Sequence, residues 1–208
     1  MPRIAAILVY PVEGCRGVRV KSCSVSARGL TGDRRFKVVC EDGAPLAEEA
    51  VRTLSRVSAE SKGPALWVSA ARMERCVLDA TALADASAWF TRLLVHPVRC
   101  VHLEDHQPSG RLLATTTSSL AALNQQLPKS VTLELFGPHL VLEGTDPFEE
   151  ESWAALEVGG IRCAVAPHPH TLRPHFGVTL VPELSGASQV QLRAGQGLDI
   201  TRAPGSRS

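Results

Sequence analysis

Tyr10-Pro11-Val12-Glu13-Gly14-Cys15-Arg16-Gly17-Val18, followed closely by Gly29-Leu30-Thr31-Gly32-Asp33-Arg34-Arg35-Phe36, joins stretches of strand character. Residues 4–10 read as a first strand. Beyond the turn-rich centre, Val18 and Val20 alternate with Arg19 and Lys21, the period of a half-buried strand. Residues 35–40, 65–69 and 76–78 read as further short strands, punctuated by Asp42-Gly43 and Gly63-Pro64. One helix is plain: Leu83, Ala86, Phe90, Leu93 and Leu94 share a face, with Asp79 or Thr81 as N-cap. His96-Pro97 ends it, and residues 98–103 return to strand.

Residues 104–110, polar and containing Pro108, read as a link between two blocks, 1–105 and 106–208. After it, residues 112–115 form a strand that runs into Thr116-Thr117-Ser118-Ser119. A second helix follows, carrying Leu120, Leu123 and Leu127 and stopped by Pro128. Val131, Leu133 and Leu135 alternate with Thr132 and Glu134, which predicts a strand. Residues 140–142, the alternation of Ile161, Cys163 and Val165, and residues 178–181 and 198–201 complete the set. Residues 167–174 form a proline- and histidine-rich loop, and 203–208 a low-complexity tail. Many short strands with two helices predict a mainly β fold of the barrel class.

The bulk numbers exclude several functions. With 208 residues the chain has enough core to fold without staples. Its 22 basic and 21 acidic residues leave a net charge of +1, so no polybasic surface favours nucleic acid or an anionic membrane. Aromatic content of 4% argues against a base-stacking platform. No apolar run approaches the roughly 20 residues of a spanning helix, and residues 1–12 lack a signal peptide's pattern. The expectation is a soluble intracellular protein, mitochondrial or cytoplasmic, without membrane insertion. Six cysteines, at 15, 23, 40, 76, 100 and 163, include no C-x-x-C pair. They read as free thiols acting as small hydrophobes rather than as a zinc site or a disulfide framework.

The quoted segments resemble the opening of the MOSC-domain family, in which a MOSC domain follows an N-terminal β-barrel. Among its members are the mitochondrial amidoxime-reducing components and the C-terminal module of molybdenum cofactor sulfurase. The resemblance runs from Ile4 to about Val165 and rests on the order of several short motifs. It implies a β-barrel-like N-terminal domain over 1–105 and a MOSC-like β-barrel over 106–208. It also implies molybdenum-cofactor chemistry: reduction of N-hydroxylated compounds, or sulfur handling for the cofactor.

A molybdenum pyranopterin asks a protein for phosphate donors and, often, a soft thiolate for the metal. Asp33-Arg34-Arg35 matches the family's Asp-Arg motif, so the resemblance implies that Arg34 reaches the cofactor; alone, it reads as a surface ion pair. Arg16 is a further donor. Thr116 to Ser119 aligns with a hydroxyl-rich segment before the family's Ser-Leu-x-x-Leu-Asn helix, making Ser119 a phosphate candidate, although ordinary N-capping explains it equally. His139 stands where the family has asparagine. For the metal, the candidates are Cys163, which is in phase with the core, and His168 and His170 in the loop.

The departures are as informative. Glu13-Gly14 replaces the family's Lys-Ser. At ~4 Å and an effective dielectric near 20 such a charge pair is worth about 4 kcal/mol gross, so its reversal turns attraction into repulsion. Leu135 and Gly137 stand where the family has arginines, and residues 166–172 lack its cysteine. Phe136, Pro138 and Trp153, which pack the chain, are kept. The expectation is a degenerate member without tight cofactor binding, a non-catalytic accessory or structural subunit with protein partners in a larger assembly. The alternative is a cofactor-binding enzyme.

Overall fold

The computed structural model describes residues 1–62, 65–103, 110–166, 176–185 and 188–203. In chain order the strands are β1 (Arg3–Val9), β2 (Val18–Val20), β3 (Ser22–Ser26), β4 (Gly29–Leu30), β5 (Phe36–Cys40), β6 (Ser58–Lys62), β7 (Ala65–Ser69) and β8 (Cys76–Leu78). They continue as β9 (Val98–His102), β10 (Leu112–Thr116), β11 (Leu140–Glu143), β12 (Trp153–Val158), β13 (Ile161–Ala166), β14 (Val178–Pro182), β15 (Val190–Arg193) and β16 (Leu198–Arg202). The helices are α1 (Glu48–Leu54), α2 (Leu83–Leu94) and α3 (Thr117–Gln126). The fold is mainly β, as the alternation predicts.

Two compact units divide the chain. One comprises Met1–Leu8, Arg19–Thr31 and Gln107–Ser208; the other comprises Val9–Val18 and Gly32–His106. The first is built on an eight-stranded sheet of order β16-β12-β13-β14-β10-β11-β1-β2, with a smaller sheet β15-β3-β4. One face of the large sheet is apolar because the registers place like with like. Ala114 sits opposite Leu140, Leu112 opposite Leu180, Leu156 opposite Cys163 and Val158 opposite Ile161, all buried. Fully burying such aliphatic side chains contributes roughly 1.5–3 kcal/mol each. Parallel pairing of β10 with β11 requires a crossover, which α3 supplies.

Among the described residues the large sheet does not close into the expected barrel; β16 and β2 are its edges. A seam stands in place of a ladder. Arg3 and Gly197 form an isolated bridge, and Ile4 N–H donates to Gln196 O, Gly195 N–H to Ile4 O and Leu198 N–H to Pro2 O. Gly195 has φ +86°, so the chain bends there and cannot extend the pairing as a regular strand.

In the second unit, β5 pairs with β9, and β6, β7 and β8 form a three-stranded sheet. Its core gathers Val12, Phe36, Val38, Leu54, Val68, Trp89 and Phe90. Trp89 meets Phe90 edge-on at 5.0 Å and donates its indole N–H to Glu74 O. Here α1, absent from the sequence reading, is a third helix; it is seven residues long and buries only Leu54, too little for a readable period.

Two local expectations are corrected. Residues 131–135 are not a strand: Leu133–Leu135 is a single 3-10 turn. Asn124 explains it, because its side chain accepts the Val131 N–H at 2.8 Å and donates to Val131 O at 3.0 Å. A ladder would need both groups. Similarly, α2 takes Ala82 as N-cap with no side-chain bond, while Asp79 accepts the N–H and hydroxyl of Thr81, both at 2.8 Å. The Glu104–Gly110 link falls on 104–109, which lie outside the described residues. Among the described residues, no helix is long and apolar enough to cross a membrane.

Candidate functional site

In the second unit the Tyr-Pro-Val segment is held by the Asp-Arg segment. Asp33, buried, accepts the Tyr10 N–H on Oδ1 at 2.8 Å, and Arg34 N–H returns a bond to Tyr10 O at 2.7 Å. Phe36 N–H donates to Pro11 O and Glu13 N–H to Phe36 O, extending the pairing. Gly17 makes room for the Tyr10 ring: a Cβ there would lie 2.7 Å from a ring carbon, so the ring would have to shift. Arg34 adopts φ +47°, an uncommon conformation for a non-glycine residue. Its guanidinium Nε lies 3.6 Å from Asp33 Oδ2 and its side chain is 42% exposed. Arg16 is exposed too, fixed by its N–H to Val57 O at 3.0 Å.

Glu13, the charge reversal, does not stand alone: Lys37 Nζ lies 3.4 Å from its carboxylate. The pair is neutral, so the repulsion expected from Glu13 alone is largely offset. Beside it, Cys15 is buried in the core, where burial, with a smaller push from Cys100, raises its thiol to about 12.

In the first unit the hydroxyl-rich segment is turned inward. Thr116 caps α3, its Oγ1 accepting the Ser119 N–H at 3.0 Å. Ser119 is 0% exposed. Its hydroxyl donates to Glu150 Oε2 at 2.8 Å and accepts from Thr116 Oγ1 at 2.6 Å and Phe148 N–H at 2.7 Å. A hydroxyl has one donor and two acceptor positions, so Ser119 is saturated. Glu150 is 1% exposed, and burial raises its carboxyl above the usual range against the opposing Ser119 bond. Phe148 holds φ +61° to reach this arrangement.

His139 is buried between strands, accepting the Leu113 N–H on Nδ1 at 3.0 Å, while Leu8 N–H donates to His139 O. Cys163 is 2% exposed on the core face of β13, and burial, then the Glu183 charge, pushes its thiol up to about 11. His168 and His170 lie outside the described residues.

The candidates thus divide. Arg16 and Arg34 belong to one unit and are exposed; Ser119, His139 and Cys163 belong to the other and are internally committed. Among the described residues no group of three or more His, Cys, Asp or Glu could hold a metal ion. For a molybdenum pyranopterin, the matched segments offer the exposed Arg16, Arg34 and Arg35 to its phosphate, while Cys163, the cysteine nearest the family's ligand position, is buried on the core face of β13. Sequence reasoning missed Asp33 as the residue that fixes the Arg34 segment, and Glu150 as the partner of Ser119. The spacing of Thr116 and Ser119 signalled a cap, but nothing local pointed to an acid in the 146–152 segment.

The comparisons agree on the domains present. The chain matches the model of the MOSC N-terminal beta barrel domain over residues 1–96 and that of the MOSC domain over 99–169. It is 27% identical to mitochondrial amidoxime-reducing component 1 of Homo sapiens, over 76% of this chain and 61% of that protein. It is 24% identical to molybdenum cofactor sulfurase of Oryza sativa subsp. japonica, over 75% of this chain and 26% of that protein. The chain therefore spans about three fifths of the length of the amidoxime-reducing relatives it matches. A solved structure, the YUAD protein from Bacillus subtilis, superposes with a TM-score of 0.50 at 7% identity, covering 98% of this chain and 97% of that one; it shares the fold.

Proposed function

Because the chain belongs to the MOSC family, carrying that family's N-terminal β-barrel domain and its MOSC domain in order, we propose that it is a member without tight molybdenum-cofactor binding. It works as a non-catalytic accessory or structural subunit through protein contacts. The observation that carries this reading is the saturated hydroxyl of Ser119. The segment aligned with a phosphate contact is spent on Glu150 and Phe148 of the same chain. Cys163 supports it from the metal's side, because its sulfur is buried on the core face of β13.

Selective change points to use of the surface. Large-to-small changes in a core cost roughly 2–5 kcal/mol, so unconstrained decay would have struck the packing residues too. Phe36, Trp89 and Trp153 are present and buried, and Phe136 still meets Phe176 at 4.3 Å. Near-neutral charge favours a protein partner over nucleic acid.

One observation favours the enzyme reading instead. Arg34 keeps a strained left-handed backbone and an exposed guanidinium, and strain of this kind persists where structure over-determines it for a purpose. Gel filtration of a native extract, with activity assays across the fractions, separates the two. Migration within a much larger complex supports the accessory role. A free monomer that reduces N-hydroxylated substrates returns the chain to the enzymes.

A further inference from the structure

Ser118, Thr116, Ser119 and Glu150 form a line of oxygens. Glu150 Oε2 to Ser119 Oγ is 2.8 Å, Ser119 Oγ to Thr116 Oγ1 is 2.6 Å, and Thr116 Oγ1 to Ser118 Oγ is 3.1 Å. Thr145 Oγ1 extends it at 3.4 Å, and Ser118 and Thr145 are both partly exposed. The line runs from a buried carboxyl to the surface. Its members are hydroxyls, each able to donate and to accept, so the direction of the bonds can reverse without moving a heavy atom. With the carboxylate, hydrogens point inward, Ser118 to Thr116 to Ser119 to Glu150. With the carboxylic acid, Glu150 donates to Ser119, Ser119 to Thr116 and Thr116 to Ser118. Backbone N–H donors from Ser119 and Phe148 are satisfied in both patterns.

The surroundings distinguish the two states. The first turn of α3 carries no acidic or basic side chain. On the other side, Glu149 is engaged by Arg202 from β16, and it accepts the Asp146 N–H on its second oxygen. Glu151 is exposed and adds a like charge. Among the described residues no cation pairs with Glu150. A buried carboxylate held only by hydroxyls and its own N–H is disfavoured against the acid, and the positive end of α3 offsets part of that cost. Phe148, at φ +61°, stores strain in the segment that this contact holds down.

We propose that Glu150 is a proton-operated clasp, which holds residues 146–152 on the N-terminal turn of α3 more firmly as the acid than as the carboxylate. The hydroxyl line delivers the proton. The clasp does not depend on the loss of the cofactor, and its failure leaves that reading untouched.

Amide hydrogen exchange of the full chain tests it at about pH 4.5, the ordinary carboxylate value at which any upward shift leaves the acid dominant, and at about pH 8, corrected for intrinsic exchange. The ladder of β12 and β13 serves as internal reference. Residues 146–152 of the wild type should be protected several-fold more at the lower pH. Glu150→Gln should show equal protection at both, and Ser119→Ala reduced protection at both. Protection in the wild type that is independent of pH, or greater at the higher pH, overturns the proposal, as does a Glu150→Gln protein that keeps the wild-type dependence. Should Glu150→Gln not fold, the wild-type comparison alone decides.

Discussion

The Glu13 carboxylate and the Lys37 ammonium lie 3.4 Å apart, each side chain 42% exposed. An exposed pair of this kind contributes only about 0–1 kcal/mol. Glu13→Lys is therefore expected to change stability by less than about 1 kcal/mol in urea melts. It should also fail to confer molybdenum binding, because Ser119, His139 and Cys163 stay committed. Recovery of stoichiometric molybdenum by this one change would show that charge at position 13 was the sole obstacle.

Asp33 is the brace of the Tyr10 segment. Asp33→Ala removes the acceptor of the Tyr10 N–H and is expected to cost about 1–3 kcal/mol. Asp33→Asn keeps an oxygen in the same place and should cost less. Chemical denaturation of both variants checks the order. Equal losses would show that the backbone bond is not what Asp33 supplies.

Gly177 has φ +88°, and a Cβ there would lie 2.3 Å from Ala114 O, a backbone atom that cannot step aside. Gly177→Ala should destabilise, and by more than the roughly 0.4–1 kcal/mol by which an unstrained Gly→Ala exchange stabilises. Gly160, with φ +80° and open space around it, gives the comparison that isolates the clash from the backbone strain.

The thiols make a pH prediction. Burial pushes Cys15 and Cys100 up to about 12 and Cys163 to about 11, from 9.0. A thiol gains charge by losing its proton, so a raised folded pKa means stability that is intact below about pH 9. It is lost as pH rises towards 11 to 12. Thermal melts should show this alkaline decline, reduced in Cys163→Ala after allowance for its cavity. At pH 8, a thiol reagent should label Cys40 and Cys76, the two partly exposed cysteines, before any other.

Period and motif order carried the architecture. The strands around Val18 and Cys163 alternate apolar with polar residues, residues 65–69 follow the Gly63-Pro64 turn signal, and α2 presents a long apolar face. Residues 131–135 alternate equally well yet form a turn, because Asn124, at the end of α3, takes the backbone groups of Val131. Closure of the large sheet was not legible either. It depends on the bend at Gly195, beside which pairing with β1 is reduced to one bridge and a few backbone bonds, and such a bend leaves no mark on hydrophobic period. At the site, Arg34 and Ser119 were found by resemblance, but what each does depends on Asp33 and Glu150. Hydrogen-bond partners across such separations are set by tertiary structure. Sequence named the residues and the fold assigned their bonds.

The central claim is that the chain does not hold the molybdenum cofactor tightly. Protein purified from its native source should be analysed for molybdenum by elemental analysis and for pterin by the fluorescence of its oxidised product. The account predicts molybdenum far below one atom per chain and no pterin above background. Near-stoichiometric molybdenum accompanied by pterin fluorescence would contradict it.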